Sequence, residues 1–178
     1  MRRYATLAAA FSYPDDTFFG HFPDSTADRQ SLTAEYDRLF RAGVVWLYGA
    51  EHLVENEFQR ATMLSDIMGF YTAFGMEPDK ERADSVTCEL EFMYGLIFKS
   101  QRLCQGSDTE DAKEKADVCR DAEKKFFAGH LDPGATAIAE KIIAQSSHAF
   151  YLQAAEELAA LLETERECFN CAPVKGPK

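Results

Sequence analysis

The sequence predicts an all-α protein: a single globular helical domain of about seven or eight helices. Three observations carry this expectation. Apolar residues recur at helical spacing almost throughout, while strand-like alternation is nearly absent. Several of the periodic runs close at a helix-ending residue, at Pro14, Gly43, Gly75 and Gly106. The chain has 178 residues, 46% of them hydrophobic and 12% aromatic. One domain of that size hides roughly 70% of its unfolded surface, and no repeat or long linker divides it.

Taken in order, the first helix is expected over residues 2–13, ending at Pro14, with a loop holding Gly20, Pro23 and Asp24. The second, over 26–40, places Leu32, Tyr36, Leu39 and Phe40 on one face before Gly43 closes it. A long third helix is expected over 51–74, carrying Leu53, Phe58, Met63, Ile67, Phe70, Tyr71 and Phe74. A connection with Pro78 follows. The fourth starts near Asp84 or Ser85 and reaches Cys104. Ser107 and Glu110 have the spacing of a capping box for the fifth. Asp132-Pro133 reads as an N-cap followed by proline at the first helical position of a helix to residue 144. The last helix is expected over 148–165, so the helical domain spans 1–165 and a polar tail spans 166–178.

The fourth helix is the unusual one. Val86, Leu90, Met93 and Ile97 form one stripe, Phe92, Leu96 and Leu103 a second, and Tyr94 and Phe98 fill a third direction. A helix apolar nearly all round lies at the centre of its domain. It nevertheless carries Glu89 and Glu91. A buried carboxylate is costly unless it is bonded, so Glu89 either locks the core or waits beside a groove for a cationic group.

Charge narrows the partners. The formal net charge is −11 and the isoelectric point is near 4.8, which opposes binding to nucleic acid and to anionic membranes and favours a basic partner. Arg2-Arg3 followed by an apolar run resembles an export leader, but the run stops at Pro14-Asp15-Asp16 and reads better as a first amphipathic helix. Five scattered cysteines, Cys88, Cys104, Cys119, Cys168 and Cys171, do not form a secreted disulfide pattern, so reduced thiols in a cytoplasm are expected.

No catalytic constellation emerges. Phosphate-binding glycine loops and a Gly-x-Ser-x-Gly elbow are absent. So are the Glu-x-x-His pairs of di-iron bundles. His21, His52, His130 and His148 are dispersed. Cys168 and Cys171 have Cys-x-x-Cys spacing, the weakest candidate for zinc or redox chemistry, since no second ligand pair accompanies them. No metal, cofactor or catalytic residue is expected.

Four segments in sequence order carry a family resemblance. Glu35-Tyr36-Asp37-Arg38-Leu39-Phe40 resembles the E-Y-x-x-L-F motif of the TorD/DmsD/NarJ redox-enzyme maturation chaperones. Gly69-Phe70-Tyr71-Thr72-Ala73-Phe74-Gly75 resembles the G-F-Y-x-A-F-G segment of the branch serving periplasmic ethylbenzene, dimethyl sulfide, selenate or chlorate enzymes. Glu81-Arg82-Ala83-Asp84-Ser85, followed by Glu89-Leu90-Glu91-Phe92-Met93, is similar to E-R-P-D-H with E-L-E-F-M. Phe126 to Leu131 is similar to F-x-x-x-H-L. Ala83 and Ser85 stand where the family has proline and histidine, and the tryptophan usual after H-L is missing.

The resemblance implies a cytoplasmic, non-catalytic chaperone. It would bind the twin-arginine leader and apo form of a molybdopterin-enzyme catalytic subunit, assist cofactor insertion and delay export. It would act as a monomer, with a dimer as the alternative. An arginine pair followed by an apolar stretch calls for carboxylates beside aromatic walls. The candidate carboxylates are Glu35, Glu51, Asp84 and Glu89. The candidate walls are Tyr36, Phe40, Trp46, Tyr48, Tyr71 and Met93. The rival readings are a permanent helical subunit or adaptor of a redox complex, and a small redox or metal protein using Cys168 and Cys171.

Overall fold

The computed structural model describes residues 1–78, 81–106 and 109–169. The described residues form one all-α domain without strands. Helix α1 (Arg2–Ala10) leads into a short α2 (Asp16–His21), whose first amides are capped by the Asp15 carboxylate at 2.8 and 3.0 Å. A 3-10 turn (Pro23–Asp28) precedes α3 (Arg29–Tyr36), which runs on through a π turn (Asp37–Arg41). Gly43 then takes φ 75°, and Gly75 takes φ 64° after the third long run. Both glycines end helices in the left-handed region, where a Cβ would be strained.

The expected helix over 51–74 is two helices, α4 (Ala50–Leu53) and α5 (Glu57–Ala73). Val54 is extended, and the Asn56 carboxamide accepts from the Phe58 amide at 2.8 Å to start α5 afresh. Beyond them lie α6 (Val86–Gly106), α7 (Glu110–Phe126), α8 (Asp132–Gln145) and α9 (Ala149–Phe169). Thr109, not Ser107, is the N-cap of α7; Ser107 lies outside the described residues. The final helix continues past Glu165 to Phe169, and residues 170–178, including Cys171, lie outside the description too.

Asp132 is not an N-cap. The chain stays helical from α7 through a π turn (Phe127–Leu131) into α8, and Asp132 has φ −59° and ψ −51°. Pro133 lacks an amide donor and its ring crowds the carbonyl four residues earlier, which accounts for a widened turn at this point. The Asp132 carboxylate is buried and receives Arg166 from α9 at 2.7 Å instead.

As its all-round apolar pattern predicts, α6 runs through the core, packed mainly on α7 and α1. Val86, Leu90, Met93 and Leu96 are fully enclosed. Phe92 meets Tyr71 and Phe126 at centroid distances of 4.8 and 4.5 Å. This rigid central helix positions everything on its outer face.

Candidate functional site

The outer face of the N-terminal half of α6 forms the floor of a groove of about 850 Å³. The groove is walled by the end of α1, the π turn after α3 and the segment 46–48. Tyr36, Phe40, Trp46 and Tyr48 come together here. Tyr36 and Phe40 are spaced one helical turn apart and meet edge to face at 4.9 Å. Trp46 stacks on Tyr48 at 6.3 Å and is 46% exposed, a large aromatic presented to solvent. Tyr and Trp are enriched at binding interfaces, where one end is apolar and the other wet. Ser85, at the position of the family histidine, also lines the groove, with Thr87 and Cys88. Burial pushes the Cys88 thiol up to about 12, so it enters as an apolar wall rather than a thiolate.

The carboxylates in the groove are Glu81 and Glu91, both exposed. A second hollow of about 650 Å³ adjoins it and shares Ser12, Tyr13 and Glu91, with Asp15 at its far side. Arg41 lines the groove too, but the acids Glu81, Glu91 and Asp15 outnumber it, so the site is an elongated channel with an acidic excess rather than a closed pocket. Sequence reasoning passed over both groove acids. Helical geometry held a signal for one of them: Glu89 and Glu91 are two residues apart, about 200° around the helix, so a core-facing Glu89 implies an outward Glu91.

The four carboxylates expected from sequence lie elsewhere. Asp84 is wholly buried. It accepts from Arg82 Nε at 3.0 Å and Nη2 at 2.8 Å, and from the Ala50 amide at 3.1 Å. Its main-chain carbonyl accepts from the Gly49 amide at 2.8 Å. Asp84 thus caps α4 from a distant part of the chain. Glu51, on α4, completes the cluster by pairing with Arg82 at 2.6 Å and Arg60 at 3.1 Å; the Arg82 hydrogen bond holds its carboxyl below the usual range. Arg82 lies over the Tyr48 ring at 4.3 Å, and the Tyr48 hydroxyl donates to Glu81 at 2.9 Å. Asp84 and Glu51 therefore set the groove wall without lining it.

Glu35 pairs with Arg38 through two bonds of 2.7 and 2.8 Å and accepts from the Ser146 hydroxyl at 2.7 Å, pinning α3 to the α8–α9 corner. Glu89 is buried, and its Oε1 accepts no hydrogen bond among the described residues. Burial, then the nearby Asp84 charge, pushes its carboxyl well above the ordinary range. Met93 is enclosed in the core. Tyr71 is buried with its hydroxyl donating to the Ala83 carbonyl at 2.8 Å; it borders a small hollow of about 160 Å³ shared with Cys88 and Glu91. Cys168 is exposed in the last turn of α9, and no group of three or more metal-binding side chains assembles among the described residues.

A family model described as nitrate reductase delta subunit matches residues 4–140. The chain belongs to the nitrate reductase delta subunit family. This is a family of NarJ/TorD-type molybdoenzyme maturation chaperones. No curated protein and no solved structure matches the chain. The family match spans the groove, the Asp84 cluster and the whole of α6, so the delta-family segment contains every element that shapes the candidate site. Among the described residues no helix is long and apolar enough to cross a membrane.

Proposed function

We propose that this member of the delta family holds the twin-arginine leader of a molybdopterin-enzyme catalytic subunit in the groove between α1, the π turn after α3 and α6. It works in the cytoplasm as a non-catalytic chaperone, keeps the apo subunit open for cofactor insertion, and leaves before the enzyme is exported. The carrying observation is the union of an aromatic wall, exposed Trp46 and half-buried Tyr48, with Glu81 and Glu91 in one elongated channel. A leader presents two guanidinium groups followed by an apolar run. The carboxylates suit bidentate pairing with the first, and Tyr36, Phe40 and Trp46 suit the second. Asp84 and Glu51 act through Arg82, which positions Tyr48. Glu35, Tyr71, Glu89 and Met93 support the frame.

Calorimetry with the leader peptide of the client tests this. A hydrogen bond to a charged group is worth about 1.5–3 kcal/mol, so Glu81→Gln with Glu91→Gln should weaken binding at least about tenfold. Changing the leader's arginine pair to alanine should do the same. Leader binding of undiminished strength in both experiments would remove the groove as the receptor.

A further inference from the structure

The far half of α6 carries a second cavity of opposite character. It measures about 590 Å³ and lies between the end of α5, α6 and α7. Its lining is Phe74, Leu103, Val118 and Cys119 together with Lys99, Arg102 and Lys115. Among the described residues every charged side chain lining it is cationic, on a chain whose net charge is −11. The rest of the wall is apolar. Val118 is 56% exposed, although it sits beside Leu103 and Phe74 where an apolar residue would otherwise be covered.

The cations are set at the rim in distinct ways. Lys99 is fixed by donating to the Phe74 carbonyl at the end of α5, which leaves two of its three ammonium donors for another acceptor. Arg102 lies over the Phe98 ring at 5.6 Å and has no carboxylate partner among the described residues. Lys115 pairs with Asp111 at 2.7 Å on the exposed face of α7, a contact of small worth that competes weakly with a ligand.

We propose that this cavity binds a small amphiphilic anion, with the apolar body over Phe74, Leu103 and Val118 and the anionic head at Lys99, Arg102 and Lys115. The volume falls within the roughly 300–1,000 Å³ of small-molecule sites, which are mainly apolar with a few placed polar groups. An extended peptide fits poorly. Among the described residues the lining offers cationic donors but no oxygen acceptor side chain, so a peptide backbone would leave its N–H donors unpaired. The site shares no residue with the leader groove and stands independently of the leader-binding reading.

Calorimetry on the whole chain with decanoate, below its micelle concentration, is the test. Decanoate should saturate one site per chain. Decanol, which has the body without the charge, should bind at least tenfold more weakly, and inorganic phosphate, the charge without the body, should give no saturable heat. Val118→Glu introduces a carboxylate at a solvent-facing position and should weaken decanoate at least tenfold. Arg102→Gln, a milder change, should weaken decanoate while leaving decanol unchanged. Trp46→Ala, in the other groove, should leave decanoate binding intact. The proposal is overturned by no decanoate binding, by equal binding of decanol, or by loss with Trp46→Ala in place of Val118→Glu and Arg102→Gln.

Discussion

At the scale of single residues, the buried acids make the sharpest statements. Burial and the nearby Asp84 charge push the Glu89 carboxyl well above the ordinary range. In the unfolded chain the same group ionises above about pH 4.3. A raised carboxyl pKa therefore costs stability as pH rises from the unfolded value toward the folded one. Glu123 obeys the same sign. It is buried, its Oε1 accepts no hydrogen bond among the described residues, and burial followed by the charge of Glu165 pushes it up to about 7. Its contribution should fall by about 1.4 kcal/mol for every pH unit between its unfolded value and pH 7, then level off. Glu123→Gln should thus leave stability near pH 4 little changed and raise it at pH 7.5, read by urea melts at both values. Glu89→Gln should shift stability in the same direction. A loss of stability at pH 7.5 in both variants would mean that the carboxylates are ionised and paired.

Asp84 differs from Glu89 by being saturated with donors. Asp84→Asn removes one charge from a buried pair and leaves Arg82 with Glu51 as its remaining carboxylate partner. Breaking such a pair costs about 3–5 kcal/mol when one side is removed; Arg82 is partly open to solvent, so a loss of roughly 2–3 kcal/mol is expected in denaturant unfolding. Leader affinity should fall with it, because Arg82 supports the Tyr48 ring.

At the scale of elements, the shortest helix matters most to the site. The N-terminus of α4 rests on α8 through two glycines: a Cβ on Gly134 would lie 2.9 Å from the Gly49 Cα. That is backbone, which cannot rotate away. Gly134→Ala should push α4 from α8, strain the Gly49–Asp84 and Ala50–Asp84 hydrogen bonds, and cost roughly 1–3 kcal/mol. A shift in urea midpoint of that size, with weaker leader binding, is the expected result. Gly95→Ala is a useful contrast, because its Cβ would meet only the flexible Met76 side chain, Sδ at 2.8 Å. It should cost less.

At the scale of the whole molecule, α6 separates two surfaces of opposite sign. Its first half carries the acidic, aromatic groove and its second half the basic, apolar cavity. The excess negative charge should speed capture of a basic leader and make its affinity fall as salt rises, since exposed charges are screened beyond roughly 10 Å at 0.1 M salt. Leader bound to the folded state alone should also protect the fold: at a hundredfold excess over Kd it adds about 2.7 kcal/mol, seen as a rise in Tm. Size-exclusion of the mature enzyme separates a departing chaperone from a permanent subunit, for the chaperone should be missing from it.

By itself the sequence determined the fold class, the helix-closing roles of Gly43 and Gly75, and the central place of α6, because these follow from spacing along the chain and the local conformational preferences of glycine. It also brought Tyr36, Phe40, Trp46 and Tyr48 forward as walls. Only the tertiary structure decided which acids face the groove. Asp84 and Glu51 looked available in the sequence, yet Arg82, the Ala50 amide and Arg60 claim them from parts of the chain folded against them. Periodicity shows that Glu89 and Glu91 point apart; it cannot say what each will meet. Packing α6 against α1 and α7 closes off Glu89 and leaves Glu91 at the surface. The exposure of a carboxylate depends on what lies across from it, and that is fixed only when distant helices meet.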